Sequence, residues 1–152
     1  MPDIVDAATR SRMMRAIKGR DTRPELLLRK YLHAQGYRFR LHRKDLPGSP
    51  DIVMPRYGLV IFIHGCFWHR HADCFYATTP STRLSFWEAK FEENTRRDQR
   101  GYNSLRLMGW RVLVVWECGF KHCRDQLIYM PELINAVNQY QEWPFRPPRF
   151  CV

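Results

Sequence analysis

The spacing of apolar and polar positions changes several times along the chain, and each change marks an element. Residues 9–19 are basic around "MMRAI" and predict a short helix. "DTRPELLLRKYLHAQG" gathers Leu26, Leu27, Tyr31 and Leu32 on one helical face. Thr22 and Glu25 fit a capping box, Pro24 is compatible with a first turn, and Gly36 ends the segment. "YRFRLHR" alternates apolar and basic residues, the pattern of a half-buried strand. "LPGSP" is a turn, and "DIVM" and "LVIFIHG" flank "PRYG" as paired strands. Residues 66–80 have no period. From Thr82 to Met108 the pattern is helical and densely charged, and Gly109 stops it. "RVLVVWEC" is continuously apolar and β-branched, which predicts a strand covered on both faces. "RDQLIYMPELINAVNQY" reads as helix with a break at Pro131, and the Pro-rich tail over 142–152 as extended chain. This order predicts an α/β fold with a mixed central sheet flanked by helices. One domain over residues 1–152 is expected, with 1–20 as a basic N-terminal helical segment.

Composition narrows the class. Hydrophobic residues make up 45% of 152, enough for a core. Lys plus Arg number 25 against 15 Asp plus Glu, a net charge of +10 that points to a polyanion, most simply nucleic acid. No stretch approaches the ~18 apolar residues of a membrane-spanning helix. The start, "MPDIVDAATRSRMMR", lacks the apolar run of a secretory signal, so a cytoplasmic protein is expected. Five cysteines lie largely beside histidines, which in such a protein favours metal binding over disulfides.

The densest chemistry is "IHGCFWHRHADC", residues 63–74. Cys66, His71 and Cys74 are spaced as C-x4-H-x2-C. Tetrahedral zinc takes Cys and His in structural sites, and these three residues need a fourth ligand from elsewhere. Cys118, after the buried strand, is the first candidate; Cys123 and then His69 follow. The plain alternative is ordinary buried thiols and surface histidines.

"SPDIV" followed by "LVIFIHG" has the outline of a PD-(D/E)xK nuclease core, in which an aspartate opens one strand and the next carries a carboxylate and a lysine. Asp51 is present, but the later positions are Phe62 and His64. Magnesium keeps several waters and accepts few protein ligands, so Asp51 with a backbone carbonyl near Ile63 suffices to hold it. The acid or base must then be a histidine, and His64 and His69 are available. Alone, the aspartate is equally a turn residue, and Glu25 equally a capping residue.

"MMRAIKGRDTRPE", "LPGSPDIV", "FIHGCFWHRH", "FWEAKFEENTRRD" and "MGWRVLVVWEC" together resemble the very-short-patch mismatch repair endonucleases of bacteria, from about Ala8 to Cys118. The resemblance implies a restriction-endonuclease-like fold with a structural zinc. It implies magnesium-dependent nicking 5′ of the thymine in a T:G mismatch left by deamination of 5-methylcytosine. By matching positions, Asp51 is the metal-binding aspartate, His69 activates the attacking water, and His64 stands near the scissile phosphate. Glu25 is the carboxylate that orients His69. Cys66, His71, Cys74 and Cys118 fall on the zinc positions. Phe67, Trp68 and Trp87 match aromatics that wedge into the duplex, and Met14 enters from the opposite groove. Isoleucine at 63 replaces a residue that can be threonine in the family, a swap tolerable if only its carbonyl binds metal. MutL is a partner only by this resemblance, and an asymmetric mismatch suits a monomer. A non-catalytic zinc-containing DNA-binding module and a restriction-type nuclease remain as competing readings. In an extended loop His69 and His71 would share a face, so a local turn must separate base from metal ligand.

Overall fold

The computed structural model describes residues 21–147, so Met14, the helix expected within 9–19 and the end of the tail lie outside the described residues. The described chain runs α1 (Arg23–Ala34), β1 (Arg40–Leu41), β2 (Ile52–Met54), β3 (Leu59–His64), α2 (Leu84–Leu107), β4 (Arg111–Trp116), α3 (Glu117–His122), α4 (Met130–Asn135) and β5 (Tyr140–Trp143). Short 3-10 turns cover Pro55–Tyr57 and Arg124–Tyr129.

The five strands form one mixed sheet in chain order. β1, β2 and β3 are antiparallel neighbours, while β3–β4 and β4–β5 are parallel. Period-2 side-chain alternation divides the core into two layers. On one face Leu59, Ile61, Leu113 and Val115 pack with Leu28 and Leu32 of α1 and Leu133 and Ile134 of α4. On the other, Val60, Phe62, Val112 and Val114 pack with Tyr102 and Leu105 of α2, and with Cys66, Cys74 and Cys118. β3 and β4 are thus covered on both sides, as their unbroken apolar runs predict. Among the described residues no helix is long and apolar enough to cross a membrane.

Four local expectations are corrected. The strand expected over "YRFRLHR" shrinks to two exposed residues, because His42 turns to φ 50 immediately after it. Thr22 is the N-cap of α1 but makes no side-chain cap bond, and the Glu25 carboxylate instead accepts the backbone N–H of Asp21. The strand "RVLVVWEC" stops at Trp116, and Glu117 and Cys118 open α3. The helix expected over 124–140 is a 3-10 turn and then α4, followed by an edge strand, β5, instead of more helix. Pro131 cannot donate a helical hydrogen bond, and Asn135 Nδ2 donates to the Pro131 carbonyl at 2.8 Å, closing α4 early. Arg111 then donates to the carbonyls of Leu133 and Ile134.

Two glycines set close approaches. Gly101, inside α2, has Gly48 against it: a Cβ at Gly101 would lie 3.2 Å from the Gly48 Cα. The turn that leads into Asp51 therefore rests directly on the helix. Gly119 of α3 faces Trp143 of β5, and a Cβ there would lie 2.3 Å from the indole. A side chain at Gly119 would push α3 off the sheet.

Candidate active site and metal centre

A cleft of about 640 Å³ opens where β2 begins and β3 ends, walled by α2. Asp51, Ile63, His64, His69, Asp98 and Tyr102 all line it. Antiparallel pairing of β2 with β3 brings Asp51 beside Ile63, whose N–H donates to Asp51 Oδ2 at 2.8 Å. Burial, reinforced by the adjacent Glu25 carboxylate and opposed by the Ile63 N–H, pushes the Asp51 carboxyl up to about 7.

Glu25 is buried at the same end of the fold, 1% exposed. Arg29 Nη2 pairs with its Oε2 at 3.0 Å, while Oε1 accepts no hydrogen bond and has His42 Nε2 3.6 Å away. The resemblance has Glu25 orient His69. In this structure Glu25 is held by Arg29, His42 and Asp21 and stands beside Asp51, and the carboxylate on His69 is Asp98.

His69 Nδ1 and Asp98 Oδ2 are 2.6 Å apart. A carboxylate only accepts, so Nδ1–H is the donor and Nε2 is left as the basic nitrogen. The His69 ring stacks on His64, with centroids 3.7 Å apart. His64 shares a 2.6 Å hydrogen bond with the Tyr102 hydroxyl. Burial, then the neighbouring His69, holds His64 well below the usual imidazole range, so it is neutral at neutral pH. Burial and the nearby Asp98 push the Tyr102 phenol well above its ordinary value. Asp98 is a residue of the cleft that the sequence pattern does not single out. It sits among the charges of "NTRRDQR" and closes one of the resemblance blocks, but nothing in its spacing marks it; only the crossing of α2 over β3 does.

Cys66, His71, Cys74 and Cys118 bring their ligand atoms within 4.8 Å of one another, all four residues buried. His71 Nδ1 is 3.6 Å from Cys66 Sγ and 3.4 Å from Cys118 Sγ. Cys123 is buried but stands outside this set, so Cys118 is the fourth member. Hydrogen bonding from Cys118 and His71 lowers Cys66 to about 5, while Cys66 in turn, together with burial, pushes Cys118 up. Three crowded thiols around one imidazole are the donor set of a soft divalent ion. Glu117 Oε1 accepts the Cys66 N–H at 3.2 Å, a further brace on the cluster.

One turn separates the two centres. His69 N–H bonds to the Gly65 carbonyl and His71 N–H to that of Cys66, both at 3.1 Å, and Arg70 between them is left-handed at φ 57. His69 therefore faces the cleft while His71 faces the thiols. Trp116 lies between the centres, stacked 4.2 Å from His71 and edge-on to His64 at 5.6 Å.

Phe67, Trp68 and Trp87 come together with Phe91. Ring centroids are 5.3 Å for Phe67–Trp68, 5.6 Å for Phe67–Trp87 and 5.2 Å for Phe67–Phe91. Phe67, Trp68 and Trp87 are each half-buried, and Phe91 is the buried ring beneath them. The cluster thus has a packed base and an open side.

Comparison with known proteins gives the chain its family. The family model for the DNA mismatch endonuclease Vsr matches residues 2–75. The type II nicking enzyme V.XorIIP of Xanthomonas oryzae is 51% identical over 118 residues, 78% of this chain and 86% of that protein. The DNA mismatch endonuclease Vsr of Escherichia coli is 49% identical over 121 residues, 80% of this chain and 77% of its own. The type II nicking enzyme V.NmeAIP of Neisseria meningitidis is 42% identical over 130 residues, 84% of this chain and 92% of its own. With such coverage on both sides, the chain belongs to the Vsr family of DNA mismatch endonucleases.

Proposed function

We propose that this endonuclease nicks one strand of duplex DNA 5′ of the thymine in a T:G mismatch, as left by deamination of 5-methylcytosine, using a histidine base in a restriction-endonuclease-like fold. The observation that carries this reading is the His69–Asp98 pair, stacked on His64 in the cleft that Asp51 lines.

Asp98 holds His69 with Nε2 toward the cleft, where it takes a proton from water as the oxygen attacks phosphorus; the opposite P–O ester bond breaks, and the departing sugar oxygen takes a proton from solvent. Neutral His64, fixed by Tyr102, offers a hydrogen-bonding ring beside the phosphate without adding charge against His69. Asp51 and the Ile63 carbonyl would hold Mg2+, with Glu25 behind them. The buried Glu25 Oε1 that accepts no hydrogen bond, next to a carboxyl raised by burial, fits a site made to face a cation. When bound, the ion supplies Lewis-acid stabilisation of charge on the phosphate. Cys66, His71, Cys74 and Cys118 fit structural Zn2+, which would fix the turn bearing His69.

Phe67, Trp68 and Trp87 form the wedge, and Met14 the residue that enters from the opposite groove. Unstacking a base step costs a few kcal/mol and least at a mismatch, so insertion selects the lesion. The net charge of +10 supplies the sequence-independent part of binding. One endonuclease domain acting as a cytoplasmic monomer, with MutL as a partner, completes the reading.

The test is incubation with Mg2+ on T:G and matched T:A duplexes, each strand end-labelled in turn. A single nick 5′ of the mismatched thymine is expected. Cleavage of both strands of matched DNA would mean a restriction-type enzyme, and binding without cleavage a DNA-binding module.

A further inference from the structure

We propose that Arg70 is a positioning residue for the aromatic wedge, so that it governs discrimination between mismatched and matched duplex without itself holding DNA. This rests on the wedge reading given above.

Arg70 occupies the left-handed turn between His69 and His71. Its Nη1 donates to the carbonyls of Phe67 at 3.1 Å and Thr78 at 2.9 Å. Its Nη2 donates to the Ala77 carbonyl and to Thr79 Oγ1, both at 3.0 Å. The guanidinium carbon lies 3.9 Å over the centroid of Phe91 and 5.8 Å from that of Phe67. One side chain therefore ties the start of the loop, its far end and the face of α2 into a single unit. Phe67, whose carbonyl it holds, touches Trp68, Trp87 and Phe91.

Both terminal nitrogens are committed to oxygens of the protein, and the flat face is covered by Phe91. Little of the fork is left to grip a phosphate. Lysine would keep the charge, but a single ammonium cannot span these acceptors in a plane or lie flat on Phe91. Charge and geometry are therefore separable by substitution.

A wedge held rigid has its ordering entropy removed before DNA arrives. Loosening it weakens the insertion step, which is used at the mismatch. Binding to matched duplex comes from backbone charge and is spared.

The experiment uses the full chain in parent, Arg70→Ala, Arg70→Lys and Trp68→Ala forms. Dissociation constants are measured on otherwise identical T:G and T:A duplexes over a range of salt, without added magnesium, with metal content and melting recorded for each protein. The expected result is a loss of roughly tenfold in the T:G over T:A preference for both Arg70 variants, the size expected for a displaced stacking contact. Matched-duplex affinity and its salt slope should stay at parent values. The preference is a ratio, so a smaller folded fraction does not move it. If Arg70→Ala does not fold, Arg70→Lys decides alone. Parent-like preference in Arg70→Lys, or a flatter salt slope in either variant, would make Arg70 a charge contact and overturn the proposal. Preference kept in the Arg70 variants but lost in Trp68→Ala overturns it while sparing the wedge. Preference kept in all three sinks the wedge reading itself.

Discussion

The imidazoles of His64 and His69 lie face to face, 7° from parallel and in van der Waals contact. Two stacked rings this close hold one proton charge far more readily than two. His64 is the more deeply enclosed, 5% exposed, and resists protonation. Of the two rings, His69 is the one with a carboxylate against it, its Nδ1 2.6 Å from Asp98 Oδ2, which is why the proposed mechanism gives it the role of base.

His69→Ala is expected to lose about 10²–10⁴-fold in single-turnover nicking, the range for removal of a positioned general base. Asp98→Asn should fall in the same direction, because an amide NH2 toward Nδ1 favours the wrong tautomer. Mismatch affinity should be unchanged in both. Nicking near the parent rate in His69→Ala would shift the base to His64 or to solvent.

Asp51→Asn should abolish metal-dependent nicking and, without magnesium, stabilise the fold. A carboxyl raised from 3.8 to about 7 favours the native state fully below pH 4, and that contribution is lost as pH rises through 7. Asparagine carries no charge to bury and can still accept from Ile63 N–H. Denaturant unfolding at pH 8 should therefore show a gain on the order of 1–3 kcal/mol that shrinks toward pH 4. Equal stability of the two proteins at pH 8 would mean Asp51 is not destabilising when ionised.

Cys118→Ser should lower bound zinc, measured by elemental analysis, and lower the melting temperature, since a structural metal contributes directly to folding. Cys123→Ser should leave zinc content intact, because Cys123 lies outside the ligand set. The reverse pattern would reassign the fourth ligand.

Phe67→Ala and Trp68→Ala should weaken T:G duplex binding by roughly 1–3 kcal/mol and matched duplex much less. Equal weakening on both, with circular dichroism unchanged, would return these rings to a packing role.

Much of this arrangement is legible in the sequence, and the exceptions share a cause. β3, β4 and α2 announce themselves because burial on both faces, or one charged face over many turns, leaves a periodic record. β5 leaves almost none: "YQEW" is a half-exposed edge strand whose only fully buried residue is Trp143. Cys66, His71 and Cys74 declare themselves by residue type and spacing, and Cys118 joins them as its place after a buried strand suggests. Asp98 does not, because a carboxylate on a charged helix has no local feature that separates a catalytic partner from a solvated one. The meeting of Asp98 with His69 is a tertiary fact. Glu25 shows the converse: it has a local signature, a helix cap, yet it is buried against Asp51.

The seating of Trp143 against Gly119 bears on how the protein is made. Cys66, His71 and Cys74 leave the ribosome early and close together, but Cys118 stands on a short helix whose position is backed by an indole from the last strand. Trp143 is also tied to the Gln126 carbonyl at 3.1 Å, across the segment between α3 and α4. A chain lacking β5 has all four residues of the cluster but not the indole behind the fourth. A chain cut short before Trp143 would therefore keep Cys66, His71, Cys74 and Cys118 but lose the indole that seats α3, and with it part of what gathers Cys118 to the other three.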